Sequence, residues 1–125
     1  MIKGIGIDLV NNERIELIYR KYKDSFALKI LSQEELKKFY TSKSKTTFLS
    51  KRFASKEAFS KALGTGLYRD GLYPTHLTIQ HDKFGKPTFL INKIASKFLD
   101  KISATSAYLS ITDTEEHTAA VVVIE

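Results

Sequence analysis

The run Phe53-Ala-Ser-Lys-Glu-Ala-Phe-Ser-Lys-Ala-Leu-Gly-Thr-Gly66 constrains the fold more than any other part of this sequence. Helix formers fill it without proline or a β-branched residue until Gly64, so it reads as the body of a long helix over about 45–63. Glu57 and Lys61 are four apart and project from one face. Ala54 and Ala58 lie beside them and leave room above the pair, while Phe48, Phe59 and Leu63 form the core stripe on the other side. A carboxylate and an ammonium bracketed by small residues suit a metal ion and a phosphate. The same spacing also suits a surface ion pair worth ~0.3–0.5 kcal/mol. Gly64-Thr-Gly66 follows a helix instead of opening one, so it reads as a glycine C-cap and not as a phosphate cradle.

A second carboxylate stands near the start. Met-Ile-Lys-Gly-Ile-Gly-Ile-Asp-Leu-Val10 alternates with period two and predicts a strand over 2–10. Ile5, Ile7 and Leu9 share one face, and Gly4, Gly6 and Asp8 the other. Glycines inside a strand mark a close approach by another backbone or by a ligand. Mg2+ is commonly held by one or two carboxylates together with substrate phosphates. Asp8 and Glu57 fit that role, with Lys61 as the nearby positive charge. The alternative is that Asp8 caps the following helix, since Asp8-Leu-Val-Asn-Asn12 offers several caps.

The ordered set Gly4-Ile-Gly-Ile-Asp8, Arg14-Ile15, Phe53-Ala-Ser-Lys-Glu-Ala-Phe-Ser-Lys61 and Gly64-Thr-Gly66 resembles the holo-acyl-carrier-protein synthases, the small bacterial 4′-phosphopantetheinyl transferases. The likeness extends to the Gly85-Lys-Pro87 turn and the Ser110-Ile-Thr112 strand. It implies the 4′-phosphopantetheinyl transferase fold over residues 1–125, resembling half of the pseudo-dimeric transferases, and a homotrimer with active sites between neighbouring subunits. It also implies an activity: 4′-phosphopantetheine passes from coenzyme A to a serine of apo-acyl-carrier protein, for fatty acid biosynthesis, leaving adenosine 3′,5′-bisphosphate. Asp8 and Glu57 would hold Mg2+ at the coenzyme A pyrophosphate, and Lys61 would steady the departing phosphate. The base for the incoming serine is either Glu57 or a metal-bound water. Gly85, Lys86 and Pro87 match a turn that lies near the nucleotide, where Lys86 would pair with a phosphate; ordinary hairpin chemistry explains the turn equally well. Where many relatives carry histidine, this chain has Tyr108 and Asp113.

The rest of the sequence fits one cytoplasmic α+β domain with an antiparallel sheet. Its 125 residues are 42% hydrophobic, enough for a packed interior. There is no cysteine, which excludes disulfides, thiolate metal sites and a cysteine nucleophile. Asp8 and the glycines interrupt any signal-peptide core, and no apolar run reaches the ~18 residues of a membrane helix. The histidines lack zinc spacing, with His76 and His81 expected on opposite faces of a strand. No Gly-x-Ser-x-Gly elbow points to a serine hydrolase.

The net charge of +6 points to an anionic partner: a nucleotide with an acidic protein, or, as the runner-up, nucleic acid bound without catalysis. A helix over 12–22 carries Arg14, Ile18 and Tyr22 on one stripe, with Lys21 beside it. An apolar centre with basic neighbours suits an acidic amphipathic helix, and the resemblance places Arg14 where the carrier protein docks. The competing expectation packs Ile18 and Tyr22 inward and pairs Arg14 with Glu13 or Asp8.

Further along, a break at Lys23–Ser25 precedes Ser32-Gln-Glu-Glu35, a capping box that starts a short helix bearing Leu36, Phe39 and Tyr40. Strands over 76–81 and 88–91 make a hairpin, and Asn92 caps a helix to about Ile102. A last hairpin joins 107–112 to 118–124.

Overall fold

The computed structural model describes residues 1–125. Strand β1 (Gly4–Asn11) leads into α1 (Asn12–Tyr22), α2 (Asp24–Ile30), α3 (Gln33–Thr41) and the long α4 (Lys45–Leu63). A 3-10 turn at Pro74–His76 precedes the hairpin of β2 (Thr78–His81) and β3 (Pro87–Leu90); α5 (Lys93–Lys101), β4 (Ala107–Asp113) and β5 (His117–Ile124) complete the order. The strands form an antiparallel sheet in the order β1-β5-β4 and a separate two-stranded β2-β3 ribbon. This is the expected α+β arrangement, built around the long helix. The first strand pairs with the last, Gly4 opposite Ile124 and Asp8 opposite Ala120.

Local chemistry accounts for most boundaries. Asn11, and not Asp8, caps α1: its side chain accepts from the Glu13 and Arg14 amides. Ser32 and Glu35 close the capping box of α3, and Asn92 caps α5 through the Ala95 amide. Gly64 ends α4 in the left-handed region at φ 79°, as a C-cap should. His76 lies in the 3-10 turn instead of opening β2, where its Nδ1 accepts from the Tyr73 amide. The break after α1 is a single residue, Lys23 at φ 49°, and α2 follows at once.

Helix α4 packs against the inner face of β1 and β5. It is enclosed on nearly every side: beyond Phe59 and Leu63, it buries Ser50, Arg52, Ser55, Lys56 and Ser60, while Phe48 is only partly covered. The glycine face of β1 points at this helix. A Cβ on Gly4 would overlap the Ala62 carbonyl, and one on Gly6 the Ala58 carbonyl. The glycines and the small residues of α4 therefore clear space for a strand–helix backbone contact, with no gap left for a ligand. The apolar row Ile5, Ile7 and Leu9 faces outward, each side chain more than 60% exposed.

Candidate active site

The close seating of β1 on α4 brings the predicted site residues together. Asp8 is two residues beyond Gly6 on the same face, directed at the helix turn that carries Glu57 and Lys61. The Lys61 Nζ donates to the Asp8 carboxylate at 3.0 Å and to the Ile7 carbonyl, also at 3.0 Å. Lys61 thus crosses to β1; it does not form the intrahelical pair with Glu57. Asp8 is largely shielded, whereas about half of Lys61 meets solvent. Glu57 enters none of the protein's ion pairs.

Burial and the negative charge of Asp8 push the Glu57 carboxyl above the usual range, and Lys61 only partly offsets them. The group carries two carboxylates against one ammonium, so it attracts a further cation. Both donors offer hard oxygens, which fits Mg2+ and leaves the remaining positions to phosphate and water. No third carboxylate or histidine joins them in a closed metal cage. An open pair of this kind suits an ion shared with a substrate.

The sequence from residue 4 to residue 122 matches the family model of the 4'-phosphopantetheinyl transferase superfamily. The chain belongs to this superfamily. A holo-[acyl-carrier-protein] synthase from Vibrio cholerae is 40% identical over 125 residues, covering 100% of this chain and 98% of its own length. The fold agrees with the crystal structure of holo-[acyl-carrier-protein] synthase from Neisseria meningitidis at a TM-score of 0.94 and 41% identity, covering 100% of this chain and 99% of that one. The Helicobacter pylori synthase, crystallised in complex with coenzyme A, matches at a TM-score of 0.83 and 30% identity, with 97% of this chain and 99% of that one covered.

The other residues expected at the site lie elsewhere in the chain. Gly85 takes φ 84° in the β2–β3 turn, and Asp82 fixes that turn by accepting from the Phe84 and Lys86 amides. Lys86 and Pro87 line a hollow of about 310 Å³ with Thr88, Ile91 and Tyr108. Asp8, Glu57 and Lys61 are not part of its wall. Tyr108 bonds to the Glu125 carboxylate at 3.2 Å, and Asp113 faces Lys51 at 3.7 Å.

On α1 the inward stripe is Ile15, which is buried, and Tyr19, whose ring meets Phe39 edge-on. Arg14 and Lys21 are exposed, and neither enters an ion pair. Ile18 and Tyr22 face a shallow hollow with Ser25, Phe26 and Lys29 of the α2 region. The inward-packing expectation for this stripe is therefore replaced. Phe26 and Lys29 were missed because α2 has no side-chain cap and only seven residues. The one sequence signal was the aromatic residue three positions after a one-residue break.

Proposed function

We infer that this chain transfers 4′-phosphopantetheine from coenzyme A to a serine hydroxyl of apo-acyl-carrier protein in fatty acid biosynthesis, as a cytoplasmic enzyme acting through residues 1–125. The observation that carries the reading is the meeting of Asp8, Glu57 and Lys61 on one β1–α4 seam. Asp8 and Glu57 would hold Mg2+, which supplies Lewis-acid polarisation of the pyrophosphate when bound. The serine oxygen forms a bond to the β-phosphorus while the bond from that phosphorus to adenosine 3′,5′-bisphosphate breaks. The serine proton would pass to Glu57 or to a metal-bound water. Lys61, anchored to Asp8 and the Ile7 carbonyl, stabilises the charge that grows on the departing phosphate.

The Gly85-Lys86-Pro87 turn lies outside the Asp8–Glu57–Lys61 group of its own subunit, which favours a site completed by a neighbour. The outward row of Ile5, Ile7 and Leu9, continued by Val121 and Val123 on β5 and Tyr108 on β4, gives an apolar sheet face to build such an assembly. We propose a homotrimer joined through this face, in which Lys86 of a neighbouring copy pairs with a coenzyme A phosphate. Carrier protein would dock on Arg14, Ile18 and Lys21: Ile18 lines an apolar hollow with Tyr22 and Phe26, and the exposed Arg14 and Lys21 stand on the same helix.

A nucleic-acid module would account for the net charge but gives no role to two carboxylates converging on one lysine. Incubation with coenzyme A, Mg2+ and apo-carrier protein tests the reading. The carrier should gain the mass of one 4′-phosphopantetheinyl group, and an unchanged carrier mass would overturn the proposal.

A further inference from the structure

The face of α4 turned away from β1 carries a second ionic group that the proposed chemistry does not use. Lys56 is wholly buried, and its Nζ donates to the Ile30 carbonyl at 2.6 Å and to the Glu35 carboxylate. Glu35 is buried too, and both of its oxygens are occupied. One accepts from the Ser32 amide and Lys56; the other accepts from the Ile79 amide at 3.0 Å and faces the Arg52 guanidinium at 3.5 Å. Ser32 in turn accepts from the Thr78 hydroxyl at 2.7 Å. The Glu35 carboxylate and the Lys56 ammonium together tie the end of α2, the start of α3, strand β2 and the middle of α4.

A buried amphipathic helix is oriented by its apolar stripe. Helix α4 lacks that guide, because it buries polar and apolar residues on nearly all sides. Its backbone contact with β1 is a smooth one of Gly4 and Gly6 on Ala58 and Ala62, and the polar side chain that crosses there is the half-exposed Lys61, a member of the group to be aligned. Lys56 and Arg52, four apart on the opposite side, supply a buried directional contact. Lys56 directly precedes Glu57, and successive helix residues point about 100° apart. Holding Lys56 on Glu35 thus aims Glu57, and one turn later Lys61, at Asp8.

We propose that Glu35 and Lys56 are positioning residues for phosphopantetheinyl transfer, fixing the rotation of α4 that sets Glu57 and Lys61 against Asp8. The proposal rests on the assignment of Glu57 and Lys61 to the chemistry, so Glu57→Gln is measured beside the Glu35 variants. Well below its melting temperature, folded Glu35→Gln should lose roughly tenfold or more in kcat, because small displacements of reacting groups are costly. The KM for coenzyme A and for carrier should each stay within about twofold, since neither binding surface is touched. Glu35→Asp keeps the charge and shortens the arm; it should show the same split, with kcat down by about threefold or more.

Wild-type kcat per folded molecule in Glu35→Asp, with only the melting temperature lowered, overturns the proposal. So does a raised KM with kcat unchanged. If Glu35→Gln does not fold, Glu35→Asp decides alone. A fully active Glu57→Gln removes the underlying assignment and the proposal with it, whereas an impaired Glu57→Gln beside fully active Glu35 variants removes the proposal only.

Discussion

Helix α4 carries two ionic groups that use similar residues to opposite ends. In the enclosed group a single carboxylate, Glu35, faces Lys56 and Arg52 and receives two backbone amides. Its lysine is shut away from water, and that desolvation pulls the Lys56 pKa down to about 8 although Glu35 opposes the shift. In the open group the half-exposed Lys61 pairs with Asp8, and Glu57 is left without an ion-pair partner. The enclosed group is complete and mechanical. The open group keeps a carboxylate in excess, the state that the proposed role in holding a cation and a phosphate requires.

The largest test of this contrast is Lys56→Met. It leaves Glu35 buried beside Arg52 alone, so unfolding in urea should show a loss of about 3–5 kcal/mol. A neutral result would mean that the enclosed group does not hold the helix. Asp8→Ala should do the reverse, lowering metal-dependent transfer by about 10²–10³-fold while the melting curve barely moves. Asp8→Asn keeps the shape and isolates the charge, and full activity in either variant at ordinary Mg2+ would break the assignment.

Lys61→Ala follows, expected to cut kcat by about tenfold or more while weakening coenzyme A binding less. Lys61→Arg is no control, because the guanidinium differs in shape and holds its proton. A smaller effect is expected at the docking face, where Arg14→Glu should raise the KM for carrier by several-fold and leave that for coenzyme A nearly alone. Transfer at low carrier concentration should fall with added salt in the wild type, and less steeply in this variant.

The smallest effect sharpens the comparison most. Because the folded-state pKa of Glu57 is raised, its ionised form opposes folding at neutral pH. Glu57→Gln should therefore melt slightly higher than the wild type at pH 7. That gain should shrink as pH falls through the raised pKa and vanish below the ordinary carboxylate range, where the wild-type group is protonated whether folded or not. Removing the enclosed carboxylate of Glu35 should instead lower the melting temperature throughout.

The open group was legible in part: strand alternation sets Asp8 on the glycine face of β1 and i,i+4 spacing sets Glu57 and Lys61 on one helix face, but the crossing of Lys61 to Asp8 spans 53 residues, and the family resemblance was what joined the two segments. Caps at Ser32, Gly64 and Asn92 were legible for the same reason: each acts within a few residues. The enclosed group was hidden, because Glu35 reads locally as no more than a capping-box partner. Its pairing with Lys56 spans 21 residues and its bond to the Ile79 amide 44. The purpose of the small residues was half legible. Glycines in β1 announced a close approach, but only the packed structure shows that Ala58 and Ala62 receive them. The last hairpin was legible, but the place of its second strand between β1 and β4 came from no periodicity, since sheet order is settled by packing on α4.

That sheet order has a consequence for how the chain assembles during synthesis. Asp8 is made well before its strand partner Ala120, and the other flank of β1 carries no strand to hold it meanwhile. Until β5 emerges, the glycine-rich segment has only the half-built helix region to lean on, and such distant pairings form late and slowly. A nascent chain arrested before His117 would already contain Glu57 and Lys61 but could not hold Asp8 against them. The seam between Asp8 and Lys61 therefore closes only after β5 has been made, and chains truncated before His117 keep the side chains of this group but lose their arrangement.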